Sequence, residues 1–311
     1  MDQQLKLAVS PHIHSGRSTR RIMLDVLIAL LPATVAGTVI FGIRSLLVVA
    51  VCMASCVIFE LLFNIIIKKE QTVSDLSAAV TGLLLALNLP ANVPLWQCVI
   101  GSFFAIVVVK CLFGGIGCNV VNPAITARVF MLIAFGSMAS TAYPTIVEIT
   151  AGATPIVQMQ NGNPPALIDV FLGVTGGTIG ETCALALLIG LVYLLARRVI
   201  TWHIPVSMVA CVFAFSFFME GFDTTRALTL VLSGGLLLGA IFMATDYVTS
   251  PSTAWGKIIF GVGAGLITCI IRYFGSYPEG VSFAILFMNV LTPYIESWTR
   301  RRVFGEKGAK A

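Results

Sequence analysis

The sequence is poor in charged residues: Asp, Glu, Lys and Arg together make up 11% of its 311 residues. Soluble globular domains carry about 25% charged residues, whereas 58% of this chain is hydrophobic. The scarcity of charge excludes an ordinary soluble domain and predicts an all-α integral membrane protein. Because one bilayer span needs about 20 apolar residues, the chain has room for about ten transmembrane helices, and not for an extra soluble domain.

The eight cysteines lack the spacing of a metal or redox site. No Cys-x-x-Cys pair is present, and the cysteines are scattered through the predicted spans, where they are typical of helix packing. No group of residues predicts a resident metal ion. A nucleotide fingerprint and a cysteine-rich ferredoxin motif are also missing, so the chain is not expected to be a complete enzyme by itself.

The net charge of +5 does not predict a nucleic-acid partner. The basic residues lie at the ends of apolar segments, where they indicate membrane topology. Most of them fall on one side of the predicted spans, and only Arg44, Arg226 and Arg272 fall on the other. The central loop, residues 137–180, contains no Lys or Arg. The positive-inside rule therefore places both termini in the cytoplasm and the central loop on the external face.

The apolar runs divide into two halves of five predicted spans each. Residues 76–89 and 228–244 are short or interrupted segments in matching positions of the two halves. The run that ends in Lys110-Cys111-Leu112-Phe113-Gly114 lies opposite the one that ends in Ile271-Arg272-Tyr273-Phe274-Gly275. Since five is an odd number, the second half enters the membrane from the opposite side, which predicts inverted repeats. The predicted parts are a cytoplasmic segment 1–21, a first five-helix repeat 22–136, the external loop 137–180, a second five-helix repeat 181–298 and a cytoplasmic tail 299–311.

The central loop carries the tract Ala151-Gly152-Ala153-Thr154-Pro155. A connection of this length between two membrane helices is either functional or disordered. From its local sequence alone, the tract is typical of a surface turn.

Four motifs resemble the D subunit of the Rnf ferredoxin:NAD oxidoreductase. They are Ser18-Thr19-Arg20-Arg21-Ile22-Met23-Leu24-Asp25, Ser77-Ala78-Ala79-Val80-Thr81-Gly82-Leu83-Leu84, Asn119-Val120-Val121-Asn122-Pro123-Ala124 and Phe242-Met243-Ala244-Thr245-Asp246. The B subunit of the sodium-translocating NADH:quinone reductase shares these motifs. The resemblance covers essentially the whole chain and implies a multi-pass protein of the prokaryotic cytoplasmic (inner) membrane.

The resemblance implies a covalent flavin. In that family, a threonine at the end of a Ser/Thr-Gly-Ala-Thr tract carries FMN through a phosphoester bond, which an external transferase makes from FAD. Gly152, Ala153 and Thr154 match this tract, so Thr154 is the expected attachment point, with its hydroxyl exposed on a flexible backbone. Glu148 and Ala151 replace an Asp and a Ser/Thr of the family pattern; both replacements bear on recognition by the transferase.

Asn119 and Asn122 lie three residues apart at the start of a predicted span and share one helix face. Resemblance to the quinone-reducing relative implies a noncovalent riboflavin beside them, and paired amides suit a flavin edge. The alternative is a helix N-cap with Pro123 in the first turn.

Arg128 lies about nine residues into the same span, roughly 14 Å deep at 1.5 Å per residue. A guanidinium at that depth faces protein or cofactor rather than lipid. It either stabilises an anionic reduced flavin or pairs with a buried carboxylate such as Glu60.

Asp25, Glu60 and Asp246 are the acidic residues expected within or at the edge of the bilayer. Acids in such positions are costly and usually functional, and oxygen ligands suit a hard cation, so these three residues outline a candidate ion path. For Asp25, the alternative is an ion pair with Arg20 or Arg21.

Together these features predict a membrane flavoprotein subunit of an ion-translocating oxidoreductase (translocase). It would pass electrons through covalent FMN, and riboflavin where that second flavin is present, coupled to Na+ or H+ transport. The implied partners are the other Rnf subunits, namely two related membrane subunits, a second covalent flavoprotein and iron-sulfur subunits, together with the external flavin transferase and membrane lipid. The alternative is a channel or transporter for a small polar solute such as urea, without a redox role, because fold alone does not decide function.

Overall fold

The computed structural model describes residues 18–136, 154–160, 165–275 and 280–300. In these residues the regular elements are all helices, which confirms the predicted all-α class. In chain order the α-helices are α1 Thr19–Phe41, α2 Ile43–Ile67, α3 Ser77–Leu87, α4 Leu95–Phe103, α5 Pro123–Ala134, α6 Pro155–Gln160, α7 Leu167–Leu172, α8 Ala184–Ala196, α9 His203–Met219, α10 Thr224–Leu232, α11 Leu236–Leu238, α12 Ala254–Phe274 and α13 Val281–Thr299. Two of them continue as π-helix, α4 through Phe104–Cys111 and α11 through Gly239–Met243.

The ten predicted spans correspond to ten helical segments of the described residues. These segments are α1, α2, α3, α4, α5, α8, α9, the α10–α11 pair, α12 and α13. By length and composition α1, α2 and α12 are each long and apolar enough to cross a membrane, and the α10–α11 pair qualifies as a fourth span when taken together. The chain is a multi-pass membrane protein with several short helices.

Both segments that the sequence marked as interrupted are short or bent. Helix α3 has 11 residues, all of them buried. Helices α10 and α11 meet at an angle of 61°. The bend is made by Gly234 and Gly235, whose φ angles of +68° and +65° lie in the left-handed region that glycine adopts without strain.

Within each half, the second and fourth spans run parallel. In the first half, Ser102 of α4 donates to the Cys52 carbonyl of α2 at 3.4 Å, and their carboxyl ends meet again near Glu60. In the second half, a Cβ on Gly261 of α12 would lie 2.9 Å from the Ile204 carbonyl of α9, and Tyr273 bonds to Glu220 at the carboxyl ends. The same packing therefore occurs twice.

The two halves have opposite orientations. Helices α1 and α8 are antiparallel, because the Ala29 carbonyl packs on Gly190 while Asp25, near the start of α1, bonds to Arg197, at the end of α8. Helices α2 and α4 thus end where α1 begins, whereas α9 and α12 end at the other side of the bundle. We call the first end the Asp25 face. We call the second the Thr154 face, because the segment after Thr154 packs there.

Asp25 has a different partner from the one predicted. The Arg197 Nε atom lies 3.3 Å from its Oδ1 atom, and the Tyr193 hydroxyl donates to the same oxygen at 3.0 Å. The sequence pointed to Arg20 or Arg21, which are near neighbours along α1. Antiparallel packing of α8 brings Arg197 to the carboxylate instead, so this contact joins the two halves.

Candidate cofactor and ion sites

A cavity of about 130 Å³ lies near the Asp25 face, between the start of α5, helix α3 and the π-helical segment that follows α11. Its walls are mostly apolar, with a small polar part. The polar and charged lining residues include Ser77, Thr81, Lys110, Asn119, Asn122, Thr245 and Asp246. Apolar cavities with a few convergent polar groups are typical of cofactor and ligand sites.

Asn122 forms the N-cap that the sequence offered as an alternative. Its Oδ1 atom accepts from the Ala124 and Ile125 backbone N–H groups at 3.0 and 3.3 Å. Its Nδ2 atom donates to the Met243 carbonyl at 3.2 Å, which ties α5 to the end of the π-helical segment after α11. Asn119 donates to the Val121 carbonyl at 3.1 Å. Because both amides also line the cavity, the structural role of Asn122 and a place beside a ligand are compatible.

The most buried charges belong to an ion pair at the edge of this cavity. Lys110 Nζ lies 2.8 Å from Glu60 Oε1 and 2.6 Å from Ser77 Oγ. Thr72 donates to the same Glu60 oxygen at 3.1 Å and accepts from Asn64. Glu60 Oε2 has no hydrogen-bond partner among the described residues. The pair is therefore a buried contact in which one carboxylate oxygen has no hydrogen-bond partner among the described residues.

Glu60, which the sequence analysis named as one alternative partner for Arg128, pairs with Lys110. The Arg128 Nη1 atom bonds instead to Asn88 Oδ1 at 2.6 Å, at the carboxyl end of α3. The Glu181 carboxylate lies beside Gly235, at the amino end of α11. A helix is partly negative at its carboxyl end and partly positive at its amino end. Arg128 at the end of α3 and Glu181 at the start of α11 are therefore each opposite in sign to the helix end beside them.

Asp246 follows the π-helical segment and lies at the rim of the cavity. Its Oδ2 atom accepts from Thr249 at 3.1 Å. Asp246 is thus the one predicted acid of the three that lines this cavity. Glu60 contacts the lining residue Lys110, and Asp25 lies on α1 next to the lining residue Val26.

Thr154 is buried, with 8% of its surface exposed, whereas the sequence predicted an exposed hydroxyl. The reason is that α6 begins at Pro155 and packs Ile156 against Gly234. The Thr154 Oγ1 atom has no hydrogen-bond partner among the described residues. It lines a space of about 10 Å³ with Glu181, Thr182 and others, enough for roughly one water molecule. Gly152 and Ala153 lie outside the described residues, as do Glu148 and Ala151.

A second cluster of charges lies at the Thr154 face and was missed in the sequence. Arg272, which the charge count placed on the external side at the end of a predicted span, is 4% exposed. It donates to the carbonyls of Leu230, Ser233 and Gly234 at 2.7, 3.0 and 3.0 Å. The alignment of the two halves could have predicted this buried cation, because it places Arg272 one residue away from the position that corresponds to Lys110.

The cluster at the Thr154 face adjoins a cavity of about 120 Å³. The acid and the cation beside this cavity are arranged differently from Lys110 and Glu60, although both groups lie at corresponding ends of the two repeats. In the first half the acid and the cation touch, whereas in the second half Tyr273 donates to Glu220 at 3.0 Å and Arg272 turns to backbone carbonyls.

Comparison with known proteins gives matches along nearly the whole chain. A sequence model described as the NQR2, RnfD, RnfE family matches residues 6–305. The chain is 47% identical to the D subunit of the Na+-translocating ferredoxin:NAD+ oxidoreductase complex of Acetobacterium woodii, over 99% of this chain and 98% of that protein. It is 38% identical to the D subunit of the proton-translocating ferredoxin:NAD+ oxidoreductase complex of Clostridium ljungdahlii, over 97% of this chain and 96% of that protein. It is also 38% identical to the D subunit of the ion-translocating oxidoreductase complex of Stutzerimonas stutzeri, over 93% of this chain and 92% of that protein.

Proposed function

The chain belongs to the NQR2, RnfD, RnfE family, and from this premise we propose that it is the D subunit of an ion-translocating ferredoxin:NAD oxidoreductase complex. The observation that carries the proposal is the 47% identity over 99% of the chain with a relative of that name. The alternative, a channel for a small polar solute such as urea, has the fold in its favour, but none of the three relatives above is named as a channel.

The proposed cofactor of the Thr154 face is FMN joined to Thr154. In the attachment reaction, Thr154 Oγ1 would bond to the FMN phosphorus of FAD as the pyrophosphate bond breaks, so that AMP and the hydroxyl proton leave. The buried Oγ1 atom without a described partner supports this assignment, because esterification removes a donor that is otherwise left unsatisfied. The hydroxyl is enclosed, so an external transferase must reach it while the 154–160 segment stands away from α10.

The proposed second site is the cavity of about 130 Å³ at the Asp25 face, which would hold riboflavin without a covalent bond. Asn119 would offer its amide to the flavin edge, while Asn122 holds the start of α5 in place. When bound, the flavins supply the electron-transfer chemistry, and the protein supplies their position and electrostatics. Arg128, which bonds to Asn88 at the carboxyl end of α3, would contribute a positive charge beside the interrupted helices.

The proposed ion path begins at the same cavity, with Asp25, Asp246 and Glu60 as its acidic residues. Asp246 offers carboxylate oxygens at the cavity rim, and Glu60 Oε2 is a buried oxygen with capacity for one more contact. The relatives are named as translocating different ions, sodium in one case and protons in another. Similarity to these relatives therefore does not determine whether the coupling ion of this chain is sodium or a proton.

The proposed location is a prokaryotic cytoplasmic membrane, with the Asp25 face and both termini in the cytoplasm. Lys68, Lys69, Arg197 and Arg198 lie at the Asp25 face, and the positive-inside rule puts such residues on the cytoplasmic side. Thr154 would then lie toward the outside, where the transferase is expected. The proposed protein partners are the other subunits: two related membrane subunits, a second covalent flavoprotein and iron-sulfur subunits.

Membrane vesicles that carry the complete complex provide the test. We expect reduced ferredoxin to drive both NAD+ reduction and ion accumulation in vesicles with this chain, and neither process in vesicles from a strain that lacks it. Liposomes that hold this chain alone should show no urea flux above empty liposomes. Urea flux together with unchanged NAD+ reduction in the deletion strain would replace the proposal with the solute channel.

Asp246→Asn is expected to raise the concentration of the coupling ion needed for half-maximal ferredoxin-dependent NAD+ reduction about tenfold, or about 1.4 kcal/mol. The substitution removes the negative charge at the cavity rim but keeps the size of the side chain. The rate should be measured against Na+ concentration and against pH, which also identifies the ion.

Asp223→Asn is the matched control for Asp246→Asn. Asp223 caps α10 at the Thr154 face by accepting from the Thr225 N–H group at 2.9 Å, and Asn caps a helix about as well as Asp. The control should therefore keep the ion dependence of the wild type. An unchanged ion dependence in Asp246→Asn would remove Asp246 from the path.

A further inference from the structure

Glu220 occupies the position in the second repeat that Glu60 occupies in the first. It stands 160 residues after Glu60, and the same separation relates Gly101 of α4 to Gly261 of α12. Each acid lies near the carboxyl end of the second span of its repeat, which is α2 for Glu60 and α9 for Glu220. Because the two repeats have opposite orientations, equivalent residues lie at opposite faces of the membrane. Glu60 is at the Asp25 face, and Glu220 is at the Thr154 face.

The surroundings of the two carboxylates also correspond. Each carboxylate bonds to a residue near the carboxyl end of the fourth span, Glu60 to Lys110 at 2.8 Å and Glu220 to Tyr273 at 3.0 Å. Lys110 lines the cavity of about 130 Å³ at the Asp25 face, whereas Glu220 and Tyr273 line the cavity of about 120 Å³ at the Thr154 face. Each repeat therefore places one carboxylate at or beside a cavity at its own face.

Glu220 is closer to the surface than Glu60. Arg226 Nη1 lies 3.5 Å from Glu220 Oε2, and Arg226 Nε lies 3.6 Å from Asp223 Oδ2. The Arg226 and Asp223 side chains are both 45% exposed, and the Glu220 side chain is 19% exposed, compared with 3% for Glu60. Glu220 thus lies just beneath the surface, and Arg226 is shared between two carboxylates.

The charges at this cavity suit the release of a cation more than its tight binding. Among the described residues, Glu220 and Asp223 carry two negative charges, and Arg226 and Arg272 carry two positive charges. Arg272 bonds to three backbone carbonyls and so keeps its charge beside the cavity. A cation at Glu220 would have to compete with Arg226 for the same carboxylate. Ion-conducting sites must bind weakly enough for the ion to leave, and this competition provides such weak binding.

We propose that Glu220 is the carboxylate at the external end of the ion path, and that Arg226 displaces the coupling ion from it. This inference rests on the proposed ion translocation and on the external placement of the Thr154 face. The ion would bind at Glu220, with the Tyr273 hydroxyl oxygen as a neutral ligand, while Arg226 turns to Asp223. Return of Arg226 to Glu220 would then release the ion. Oxygen ligands suit Na+ as a hard cation, and a carboxylate also accepts a proton, so the site fits either ion.

The test uses inside-out membrane vesicles that carry the complete complex, in which the lumen corresponds to the external side. Initial rates of ferredoxin-dependent NAD+ reduction are measured while luminal Na+ and luminal pH are varied separately. Glu220→Gln keeps a partner for Tyr273 but removes the charge, so the luminal ion concentration that halves the rate should rise about tenfold, or about 1.4 kcal/mol. Arg226→Gln removes the competitor and should lower that concentration. A merely structural role of this ion pair would not produce shifts in opposite directions.

Asp169→Asn is the matched control, because it removes an exposed carboxylate of α7 at the same face. It should keep the luminal ion dependence of the wild type. If Glu220→Gln fails to accumulate, Arg226→Gln decides, since Arg226 is partly exposed and its loss leaves the fold intact. An unchanged luminal ion dependence in Arg226→Gln, or a shift of both variants in the same direction, would overturn the inference. Wild-type vesicles that accumulate no ion would contradict ion translocation itself, which is a different failure.

Discussion

Thr154→Val is expected to abolish the covalent flavin completely. After co-expression with the flavin transferase and denaturing electrophoresis, the wild-type chain of 33.2 kDa should give a fluorescent band, and the variant should give none. Valine has nearly the shape of threonine but no hydroxyl, so no phosphoester can form. The fold should survive, because the Thr154 Oγ1 atom makes no hydrogen bond with a described residue and its loss leaves no partner unsatisfied.

Thr182→Val is the matched control for this experiment. Thr182 lines the same small space, is also buried, and likewise has a hydroxyl without a partner among the described residues. It should keep the full band. Thr154→Ser should keep a band too, since it retains a hydroxyl at the same position. A band in Thr154→Val would move the attachment to another residue, and a wild type without a band, with the transferase active on another substrate, would exclude the covalent flavin.

The fold was largely predictable because apolar length and interrupting residues are local properties of a membrane sequence. The predicted span 204–219 became α9, His203–Met219, and the predicted short segment 76–89 became α3, Ser77–Leu87. The glycines at 234 and 235 marked the bend for the same reason, as positive φ angles favour glycine. The switch to π-helix after Phe103 left no sign in the sequence pattern.

Partners of the buried charges were not predictable, because they depend on which helices meet. Glu60 was matched with Arg128 and Asp25 with Arg20 or Arg21, yet packing of α4 and α8 brings Lys110 and Arg197 instead. The charge count assigned Lys110 to the cytoplasmic side and Arg272 to the external side of the membrane, although both side chains are buried within the protein. The burial of Thr154 was not predictable for a similar reason, because it depends on contact between Ile156 and Gly234, which are far apart in the chain.

Lys110→Met is expected to lower the free energy of unfolding by roughly 3–5 kcal/mol, the cost of leaving a buried charge without its partner. Lys110 and Glu60 are 3% and 2% exposed, so water cannot replace the lost ammonium at the Glu60 carboxylate. The measurement is thermal unfolding of the purified chain in detergent. Lys257→Met is the control, since Lys257 Nζ bonds to Thr201 at an exposed site and its loss should change the melting temperature little.

The double variant Lys110→Met with Glu60→Gln separates stability from function. It removes both charges, so most of the stability lost in Lys110→Met should return, as expected when a buried ion pair is replaced by uncharged groups. Ion transport should nevertheless stay impaired, because the carboxylate proposed for the ion path is gone. Normal transport by a stable double variant would mean that the Lys110–Glu60 pair only holds α2 and α4 together. The ion would then have to pass by Asp246 without the help of Glu60.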